Sequence, residues 1–377
     1  MKVLHVITGL GAGGAEQQLR LLLRHFPPGH DVVTLTNPGQ VAEGLVRDGV
    51  RVTDLGMAGN RDGRALPRLA RIVRGGRYDL VHTHLYRACL YGRVAARLAG
   101  VRAVVATEHS LGDAQIEGRP LTRGVRALYL AGERLGRATI AVSPAVAERL
   151  RGWGVAAHRV HTVPNGVDVA RFAFDEAARA RARKALGLPA DAFVVGGVGR
   201  LVPGKRFDVL VTALRDLPAD VRLLLVGTGP EEAALRRAAQ QAHVLDRVVF
   251  AGERPHTAEG AHAVDLPALL SAMDALASPS ADEAFGLAVV EALAAGLPVL
   301  YVACPAVDDL PADLTGGAVR IPCQAAPFAR EIRELSTARQ ARDRPPSRAA
   351  LQYDIARSAA RHLEVYAAAM GAPNPQE

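Results

Sequence analysis

The sequence predicts an α/β protein built from two successive sets of strand–helix units. Short apolar runs of strand length alternate along the chain with longer segments in which apolar residues recur at helical spacing. The alternation is interrupted by an alanine- and arginine-rich helical linker at residues 169–189, and strand signals restart at Phe193. At 377 residues the chain is long enough for two domains of ordinary size. We therefore predict two halves of about 170 residues each.

Composition indicates a globular protein. Hydrophobic residues make up 49% of the sequence and charged residues 22%. No apolar run approaches the ~18 residues of a membrane span, and Lys2 leads directly into a strand pattern rather than a signal peptide. The three cysteines, Cys89, Cys304 and Cys323, lie far apart without a C-x-x-C pair, which is typical of ordinary thiols rather than of a disulfide framework or a zinc site. We therefore expect a cytoplasmic protein.

The formal net charge of +8 comes entirely from the first half of the chain. Through Ala170 there are 23 basic and 13 acidic residues, whereas the remainder has 23 basic and 25 acidic residues. A positive excess suits an anionic partner such as a lipid surface, a phosphorylated acceptor or nucleic acid, although a solvated arginine-rich face is the simpler explanation. The basic helix predicted at residues 122–137 has Val125, Leu128 and Leu135 on its apolar side, so it either lies on a membrane surface or packs on its own domain.

The first half opens with a strand, a glycine loop and a helix. Residues 3–8 fit a buried parallel strand, residues 9–16 read G-L-G-A-G-G-A-E, and Leu19, Leu22 and Leu23 follow at helical spacing. The order is that of a phosphate-binding unit, but the spacing is not the dinucleotide G-x-G-x-x-G with an acidic residue about 20 positions later. We therefore expect these glycines to let the backbone approach a ligand closely, rather than to bind NAD.

Histidines stand at the ends of two predicted strands of the first half. Its later strands are expected at residues 31–36, 52–55, 79–82, 101–107 and 138–142, with an arginine-rich helix at 64–74. His82 and His84, in H-T-H, point to the same side of a strand and either bind a metal or form hydrogen bonds; no third ligand is evident. His109 follows the strand at 101–107, and because open α/β sheets bind ligands at the carboxyl ends of their strands, it is well placed to contact a substrate.

The second half repeats this organisation. It follows a turn, P-N-G-V-D at residues 164–168, and its strands are predicted at 193–198, 221–226, 248–252, 275–278 and 299–302, with helices at 266–273 and 348–370. Gly199 follows the first of these strands, and Gly227 and Gly229 lie in G-T-G-P after the second. Lys205 is one of only three lysines in an arginine-dominated chain, which singles it out. Residues 371–377 are expected to be frayed.

The segment at residues 280–299 predicts an anion site at a helix entrance. Glu283 and Glu291 flank the start of a helix whose first positions, 284–286, have no side chain able to cap it, so its N–H groups and the positive end of its dipole face outward. A diphosphate bound there would place Glu283 near one end of the ligand and Glu291 near the other, as a nucleotide sugar requires. In the ordinary alternative, Ser280 or Asp282 caps the helix and Glu291 lies on an exposed stripe.

Taken together, and in this order, eight segments resemble glycosyltransferase family 4. They are G-G-A-E at residues 13–16, D-L-V-H-T-H at 79–84, T-E-H-S at 107–110, V-P-N-G-V-D at 163–168, V-G-R at 198–200 with Lys205, G-T-G-P at 227–230, F-A-G at 250–252 and E-A-F-G-L-A-V-V-E-A at 283–292. The match covers nearly the whole chain. It implies the GT-B fold: two facing Rossmann-like domains with a deep inter-domain cleft, and a C-terminal helix that crosses back to the first domain. The expected divisions are an acceptor-binding domain at 1–170, a nucleotide-sugar-binding domain at 171–350, and a crossover helix and tail at 351–377.

The resemblance also implies roles for the matching positions. Arg200 and Lys205 would neutralise the donor diphosphate, Glu283 would contact hydroxyls of the donor sugar, Glu291 would accept from the ribose diol, and His109 would contact the donor sugar. The remaining donor-binding positions are expected to act largely through their backbone and are Gly13, Gly14, Gly199, Gly227, Gly229, Phe285, Gly286 and Leu287. No carboxylate is evident as a nucleophile, so the departing phosphate is expected to help deprotonate the acceptor while positioning and charge stabilisation carry catalysis.

The implied activity is retaining transfer of a hexose or N-acetylhexosamine from a nucleotide sugar. A UDP-sugar is favoured, with GDP-mannose next, and neither a metal, another cofactor nor nucleic acid is expected. The expected acceptor is a lipid-linked or cell-surface polysaccharide intermediate, which the basic N-terminal half would reach at the inner face of an anionic membrane. The alternative is a soluble natural product or aminocyclitol. A non-catalytic nucleotide-sugar-binding or scaffold subunit is the alternative from another class, and a GT-B epimerase ranks below it.

Two departures from the family pattern concern the edges of the expected site. The segment at residues 254–264 is longer than the usual turn, which affects the pocket for the nucleotide base. After Val302, A-C-P-A-V-D-D-L-P replaces the more usual T-x-x-G-G-x-x-E, which affects the loop near the phosphates.

Overall fold

The computed structural model describes residues 1–11, 13–59, 62–112, 115–117, 119–254, 256, 264–338 and 344–371. Most of the long segment expected at 254–264, and residues 372–377 of the tail expected to be frayed, lie outside these ranges. The chain divides into two compact units, the first comprising Met1–Gly166 with Ile355–Glu377 and the second Val167–Asp354. Within the described ranges, none of the helices combines the length and the apolar character needed to cross a membrane.

The first unit contains a parallel sheet covered by helices. Its strands are β1 (Val3–Ile7), β2 (His30–Thr34), β3 (Arg51–Asp54), β4 (Leu80–His84), β5 (Ala103–Glu108), a small hairpin of β6 (Gln115–Ile116) and β7 (Arg119–Pro120), β8 (Ala138–Ala141) and β9 (Val160–Thr162). Outside the hairpin the order is β3-β2-β1-β4-β5-β8-β9, with every pairing parallel. Its helices, before the return of the chain, are α1 (Gly14–Leu23), α2 (Gly39–Arg47), α3 (Ala65–Gly76), α4 (Tyr86–Leu98), α5 (Arg123–Glu133) and α6 (Pro144–Trp153).

The second unit is a six-stranded parallel sheet of the same kind. Its strands are β10 (Phe193–Val198), β11 (Val221–Val226), β12 (Val248–Gly252), β13 (Ala275–Ser278), β14 (Val299–Tyr301) and β15 (Ala318–Arg320), in the order β12-β11-β10-β13-β14-β15. Its helices are α7 (Val169–Phe172), α8 (Glu176–Leu186), α9 (Phe207–Ala213), α10 (Glu232–Gln241), α11 (Leu266–Ala272), α12 (Leu287–Ala294), α13 (Pro305–Asp308), α14 (Ala325–Thr337) and α15 (Arg348–Leu351). The fold class expected from the sequence is therefore confirmed.

Local sequence explains where these elements form. Central strands such as β1 are buried along their whole length, which matches their mainly apolar composition and the helices on both faces of a parallel sheet. The edge strand β3 is mainly polar, and its residues are exposed or half-buried. Ser143 caps α6, with Pro144 at its first position, and Gly187 ends α8 in the left-handed conformation. The strands predicted from the sequence are present, with bounds that differ by at most two residues.

Two predicted long helices are interrupted. The linker at 169–189 contains α7 and α8, because Asp175 caps a new helix by accepting from the N–H of Ala178. The helix predicted at 348–370 is divided into α15 and α16 (Ile355–Met370). The break falls at Tyr353, whose carbonyl accepts a 2.7 Å hydrogen bond from the N–H of Val167. Helical periodicity did not reveal either interruption because the competing partner is a polar side chain in one case and a distant backbone group in the other.

The last helix, α16, belongs to the first unit, as the crossover helix of the GT-B fold does. Its residues Ile355, Ala359 and Val365 pack into the core that contains Val3, Ile7 and other residues of the sheet. The hydroxyl of Tyr366 lies 2.6 Å from Nδ1 of His82, so a polar contact also joins this helix to β4.

A buried aspartate joins four segments of the second unit. Asp274, which precedes β13 and is 4% exposed, accepts a 2.7 Å hydrogen bond from the N–H of Val194 and forms ion pairs with three arginines. Its oxygens lie 2.7 Å from Arg179, 2.7 Å from Arg183 and 3.2 Å from Arg344. One carboxylate therefore links α8, β10, β13 and the chain before α15.

The order of strands reverses once in each sheet. In the first unit the reversal lies between β1 and β4, and in the second it lies between β10 and β13. Ligands of open α/β sheets bind outside the carboxyl ends of the strands at such a point. The loops after these four strands are therefore where each unit is able to hold a ligand.

Candidate functional site

In the second unit, an ion pair bridges the loops after β10 and β13. Nζ of Lys205 lies 2.5 Å from Oε1 of Glu283, and the side chains are 28% and 16% exposed. Ser280, which is fully buried, donates from Oγ to the carbonyl of Gly204 at 3.3 Å and so joins the same two loops. The structure thus brings together the lysine expected to bind phosphate and the carboxylate expected to bind sugar hydroxyls.

Close contact between two glycine loops shapes the adjoining surface. The N–H of Gly199 donates to Val226, and the N–H of Leu201 donates to Thr228, both at 2.9 Å. A Cβ on Gly227 would lie 2.0 Å from the carbonyl oxygen of Gly199, and one on Gly229 would lie 2.2 Å from that of Leu201. The two loops therefore pack backbone against backbone, which only glycine permits here.

Arg200 lies between these contacts and is exposed. Among the residues that the structure describes, no carboxylate forms an ion pair with it. Its guanidinium is therefore available to an anionic ligand, unlike the ammonium of Lys205, which already has a carboxylate partner.

The family resemblance implies that a nucleotide binds beside these loops. Replacing Gly229 by alanine is then expected to weaken nucleotide binding by at least about tenfold, because the added methyl group would push the two glycine loops apart. Gly316→Ala is the matched control, since a Cβ there would meet nothing within 4 Å and neither glycine has a positive φ in the left-handed range. Isothermal titration with UDP measures both variants. Equal affinity for Gly229→Ala and the wild type would contradict the importance of this contact.

The N-terminus of α12 is not capped by a side chain. Gly286 is its N-cap residue, with a φ of 97°, and neither Ser280 nor Asp282 occupies that position. Gly286 also approaches the loop that replaces the usual family sequence, since a Cβ on it would lie 2.4 Å from Sγ of Cys304. Phe285 is buried, and its ring packs edge-on against that of Tyr353, with the two ring centroids 5.1 Å apart. The ordinary capping alternative is therefore wrong, and the first turn of α12, starting at Leu287, presents backbone N–H groups suited to an anion.

Glu291 is buried rather than on an exposed stripe. It is 6% exposed, and its Oε1 lies 2.9 Å from Nε2 of His256. The carbonyl of His256 in turn accepts a 2.9 Å hydrogen bond from Arg171. The sequence did not predict this partner for Glu291; the only signal was that His256 lies within the unusually long segment.

In the first unit, the glycine loop leads directly into α1. Gly13 is the N-cap residue and Gly14 the first residue of that helix, and no side chain caps it. Gln18, one turn later, exchanges two hydrogen bonds with the backbone of Gly166, at 2.6 and 3.0 Å. This uncapped helix start lies at the carboxyl end of β1, beside the strand reversal of the first sheet.

His109 lies just beyond β5 and is linked to the H-T-H motif. Its Nε2 lies 3.2 Å from Nδ1 of His84. His82 is hydrogen-bonded at both nitrogens, to Tyr366 at 2.6 Å and to Thr107 at 2.7 Å. His5 supplies the third histidine that the sequence did not reveal, with ring atoms of His5, His82 and His84 within 4.8 Å of one another.

The ring nitrogens of His5, His82 and His84 all take part in hydrogen bonds. Nδ1 of His5 lies 3.1 Å from Nε2 of His84, and Nε2 of His5 lies 3.0 Å from Nδ1 of His30. Together with the contacts of His82, His84 and His109, these give all six ring nitrogens of His5, His82 and His84 a hydrogen-bond partner. Burial lowers the pKa of these three histidines well below the usual range, so their rings are neutral at pH 7.

The amphipathic helix α5 packs through a different side from the one predicted. Tyr129 is fully buried, whereas Leu128, assigned to the apolar side, is 54% exposed. The hydroxyl of Tyr129 donates to Glu108 at 2.9 Å, which draws this side inward. Arg126 donates to the carbonyls of Gly152 and Trp153. One face of the helix is therefore packed on its own unit.

Comparison with known proteins identifies the family. Residues 12–171 match the family model Glycosyltransferase Family 4, and residues 178–352 match Glycosyl transferases group 1. The chain is 31% identical over 283 residues to the 2-deoxystreptamine glucosyltransferase of Streptomyces kanamyceticus, covering 72% of this chain and 71% of that protein. It is 34% identical over 300 residues to the GDP-mannose-dependent alpha-mannosyltransferase of Mycobacterium tuberculosis, covering 76% and 74%.

Solved structures agree on the fold. HepE of Anabaena, in complex with UDP-glucose, superposes with a TM-score of 0.83 at 22% identity, over 98% of this chain and 100% of that one. WaaG, a glycosyltransferase involved in lipopolysaccharide biosynthesis, superposes with a TM-score of 0.65 at 17% identity, over 97% of both chains. The chain therefore belongs to glycosyltransferase family 4 and is a glycosyltransferase with the GT-B fold.

Proposed function

We propose that this protein transfers a hexose or N-acetylhexosamine from a nucleotide sugar to an acceptor hydroxyl with retention of configuration. A UDP-sugar is the favoured donor and GDP-mannose the next. The observation that carries the proposal is the Lys205–Glu283 ion pair at the strand reversal of the second sheet, beside the exposed Arg200 and the uncapped start of α12.

The ion pair suggests how the site changes partners when the donor binds. Without a donor, Lys205 and Glu283 neutralise each other, which avoids an unpaired charge in a half-buried place. A diphosphate offers Lys205 a more highly charged partner, and the hydroxyls of the sugar offer Glu283 hydrogen-bond donors. The donor therefore replaces one internal ion pair with two sets of ligand contacts, and the lysine is already in position.

The same groups stabilise the reaction. As the bond between the anomeric carbon and the phosphate oxygen breaks, the leaving diphosphate gains negative charge, which Arg200, Lys205 and the N–H groups at the start of α12 stabilise. The acceptor oxygen forms its bond to the same face of the anomeric carbon, and its proton passes to a phosphate oxygen. His109 contacts the transferred sugar in this scheme. No metal is required, because the positive groups named already balance the diphosphate.

A donor panel with measured release of nucleoside diphosphate tests the proposal. We expect turnover with a UDP-sugar that persists in the presence of a chelator, and loss of turnover on adding the chelator would contradict metal independence. The configuration of the product, read from the anomeric coupling in its NMR spectrum, tests retention. Thermal stabilisation by the donor without turnover on any acceptor would instead indicate a non-catalytic nucleotide-sugar-binding subunit.

Glu291→Gln is expected to weaken UDP binding by about tenfold, because a neutral amide is a poorer acceptor for the two ribose hydroxyls than a carboxylate. Glu334→Gln is a suitable control, since it makes the same change on α14 at an exposed position of the same unit. Titration with UDP and with inorganic diphosphate separates the effects: affinity for diphosphate should not change. A parallel loss for both ligands would place Glu291 elsewhere than at the ribose.

Two acceptor classes are each favoured by a specific observation. The basic first unit and the exposed Leu128 on α5 suit a lipid-linked polysaccharide intermediate at an anionic membrane on the cytoplasmic side. The 31% identity to a 2-deoxystreptamine glucosyltransferase suits a soluble aminocyclitol. Sedimentation with anionic vesicles at low and high salt separates them, because binding that salt abolishes supports the first class and absence of binding supports the second.

A further inference from the structure

A row of four histidines crosses the first sheet diagonally. His30 begins β2 opposite Val3, and His5 lies two residues further on in β1. His84 on β4 lies opposite Ile7, two residues further again, and His109 follows two residues beyond Thr107, the β5 residue opposite His84. Each step moves one strand across the sheet and two residues along it. Because alternate residues of a strand share a face, the row lies on one face and runs from the amino end of the strands to their carboxyl end.

The rings of this row contact each other in one repeating way. Nδ1 of His30 lies 3.0 Å from Nε2 of His5, Nδ1 of His5 lies 3.1 Å from Nε2 of His84, and Nδ1 of His84 lies 3.2 Å from Nε2 of His109. All three distances are those of N–H···N hydrogen bonds. Each contact therefore pairs the same two kinds of atom, in the same direction.

This repetition couples the protonation of the four rings. A neutral imidazole carries one proton, so it donates from one nitrogen and accepts at the other. All three hydrogen bonds form in only two arrangements: every ring protonated at Nδ1, or every ring protonated at Nε2. Any other assignment sets two N–H groups or two lone pairs against each other. The tautomer of one ring fixes that of the other three.

The surroundings keep the row neutral. Burial lowers the pKa of His5 and His84 well below the usual range, that of His30 to about 4 and that of His109 to about 3. The amino terminus lowers the pKa of His30 further, and Asp31 opposes it. The other titratable rings near the row, His82 on β4 and His362 on α16, also have lowered pKa values because they are buried.

The nitrogen at each end of the row has no hydrogen-bond partner within it. Nδ1 of His109 and Nε2 of His30 are buried and have no hydrogen-bond partner among the described residues. When every ring is protonated at Nδ1, Nδ1 of His109 carries the proton at the end of the row. When every ring is protonated at Nε2, Nε2 of His30 carries it. An unpartnered buried N–H is unfavourable, so a ligand atom placed against Nδ1 of His109 decides which arrangement the whole row adopts.

We propose that His30, His5, His84 and His109 form a proton relay through the first unit. A proton passed from the phosphate oxygen to Nδ1 of His109 moves the proton of each ring to the next, from Nε2 to Nδ1, and Nε2 of His30 gives one up to solvent water. Return of a proton from water to Nε2 of His30 reverses the shift. No ring becomes charged in the end states. The proposal rests on the proposed function in one respect, that a reacting ligand contacts His109. During transfer the acceptor hydroxyl loses a proton, which the phosphate oxygen takes first. The relay then carries this proton away.

Tautomers are observable directly, in the whole protein and without substrate. Long-range ¹H–¹⁵N correlation of ¹⁵N-histidine-labelled protein at pH 7 distinguishes Nδ1–H from Nε2–H rings, and single replacements assign the signals. We expect His30, His5, His84 and His109 to be neutral and to share one tautomer. Two different tautomers within the row, or a doubly protonated ring, would overturn the relay. This result does not depend on any donor or acceptor, so it stands apart from a failure of the proposed function.

Kinetics with variants tests whether the row acts in the reaction. His30→Phe removes the end of the row that lies at the amino end of the strands, away from His109, at a half-buried position. We expect kcat to fall by at least about tenfold with the KM for the donor unchanged, because proton transfer is lost while binding is not. His82→Phe is the matched control, since it removes a ring of the same cluster that is outside the row. Equal losses of kcat for the two variants, or no loss for His30→Phe, would contradict the relay.

A second variant covers the case in which an aromatic ring at position 30 disturbs folding. His30→Gln keeps a polar side chain there but cannot shift a proton between two ring nitrogens, so the same fall in kcat is expected at an unchanged melting temperature. Equilibrium dialysis with Zn²⁺ tests the competing explanation. Uptake of one equivalent by the wild type, lost in His84→Phe, would show a metal site in place of the relay.

Discussion

Lys205→Ala is expected to lower kcat by about 10²- to 10³-fold with the preferred nucleotide sugar, the size of effect seen when one preorganised group that stabilises developing charge is removed. The structure places this lysine at the strand reversal of the second sheet, with its ammonium 2.5 Å from Glu283. Removing it leaves the carboxylate without its partner and, at the proposed donor site, facing the diphosphate, so repulsion adds to the loss of attraction. Steady-state release of nucleoside diphosphate measures the effect.

Lys184→Ala provides the control that a lysine-poor chain allows. Lys184 is exposed near the end of α8, so its loss changes the net charge by the same amount without touching the loops after β10 and β13. We expect its kcat to remain within about twofold of the wild type. Activity of Lys205→Ala equal to that of Lys184→Ala would show that the ion pair is structural and that the donor binds elsewhere.

Asp274→Asn is expected to destabilise the second unit by about 3–5 kcal/mol, the range found when one partner of a buried ion pair is removed. The amide is neutral and would turn either its oxygen or its NH₂ group toward each neighbour. Three arginines would then share a site that has lost its negative charge, and either the N–H of Val194 or an arginine would face another donor. Urea unfolding followed by circular dichroism measures the change in the free energy of unfolding.

Asp313→Asn is the matched control for that experiment. Asp313 pairs with Arg348 at 3.7 Å in the same unit, but both side chains are 68% exposed, and such a surface pair contributes less than about 1 kcal/mol. A similar shift for the two variants would show that the buried network contributes no more than an exposed pair does. Fluorescence-detected melting provides the comparison if unfolding proves irreversible.

The sequence predicted the fold and the loops after β10 and β13, because both depend on local pattern. Apolar runs define β10 and β13, and glycines and a rare lysine mark the loops that follow them. Even the missing cap of α12 follows from the identity of Phe285 and Gly286. Where neighbouring residues determine the outcome, reading along the chain is sufficient.

The prediction failed where the deciding partner is distant in sequence. Glu291 was open to assignment as an exposed residue because nothing near it reveals His256, 35 positions away. His5 and His84 are 79 positions apart, so the row of histidines arises from strand order and register rather than from spacing. For α5, helical periodicity put Leu128 on the apolar side, but the contact between Tyr129 and Glu108 determined the buried face. Long-range polar contacts leave little trace in a hydrophobic pattern.

The cysteines of this chain have a practical consequence for labelling. Burial raises the pKa of the thiols of Cys89 and Cys304, which makes both poor nucleophiles. Cys323 is only partly buried, and its Sγ lies 3.2 Å from the carbonyl of Pro279, the residue before Ser280. A maleimide fluorophore therefore attaches preferentially at Cys323 in the natural sequence, next to the loop that carries Glu283. We expect its emission to change when a nucleotide sugar binds at the proposed site, without any engineered attachment point.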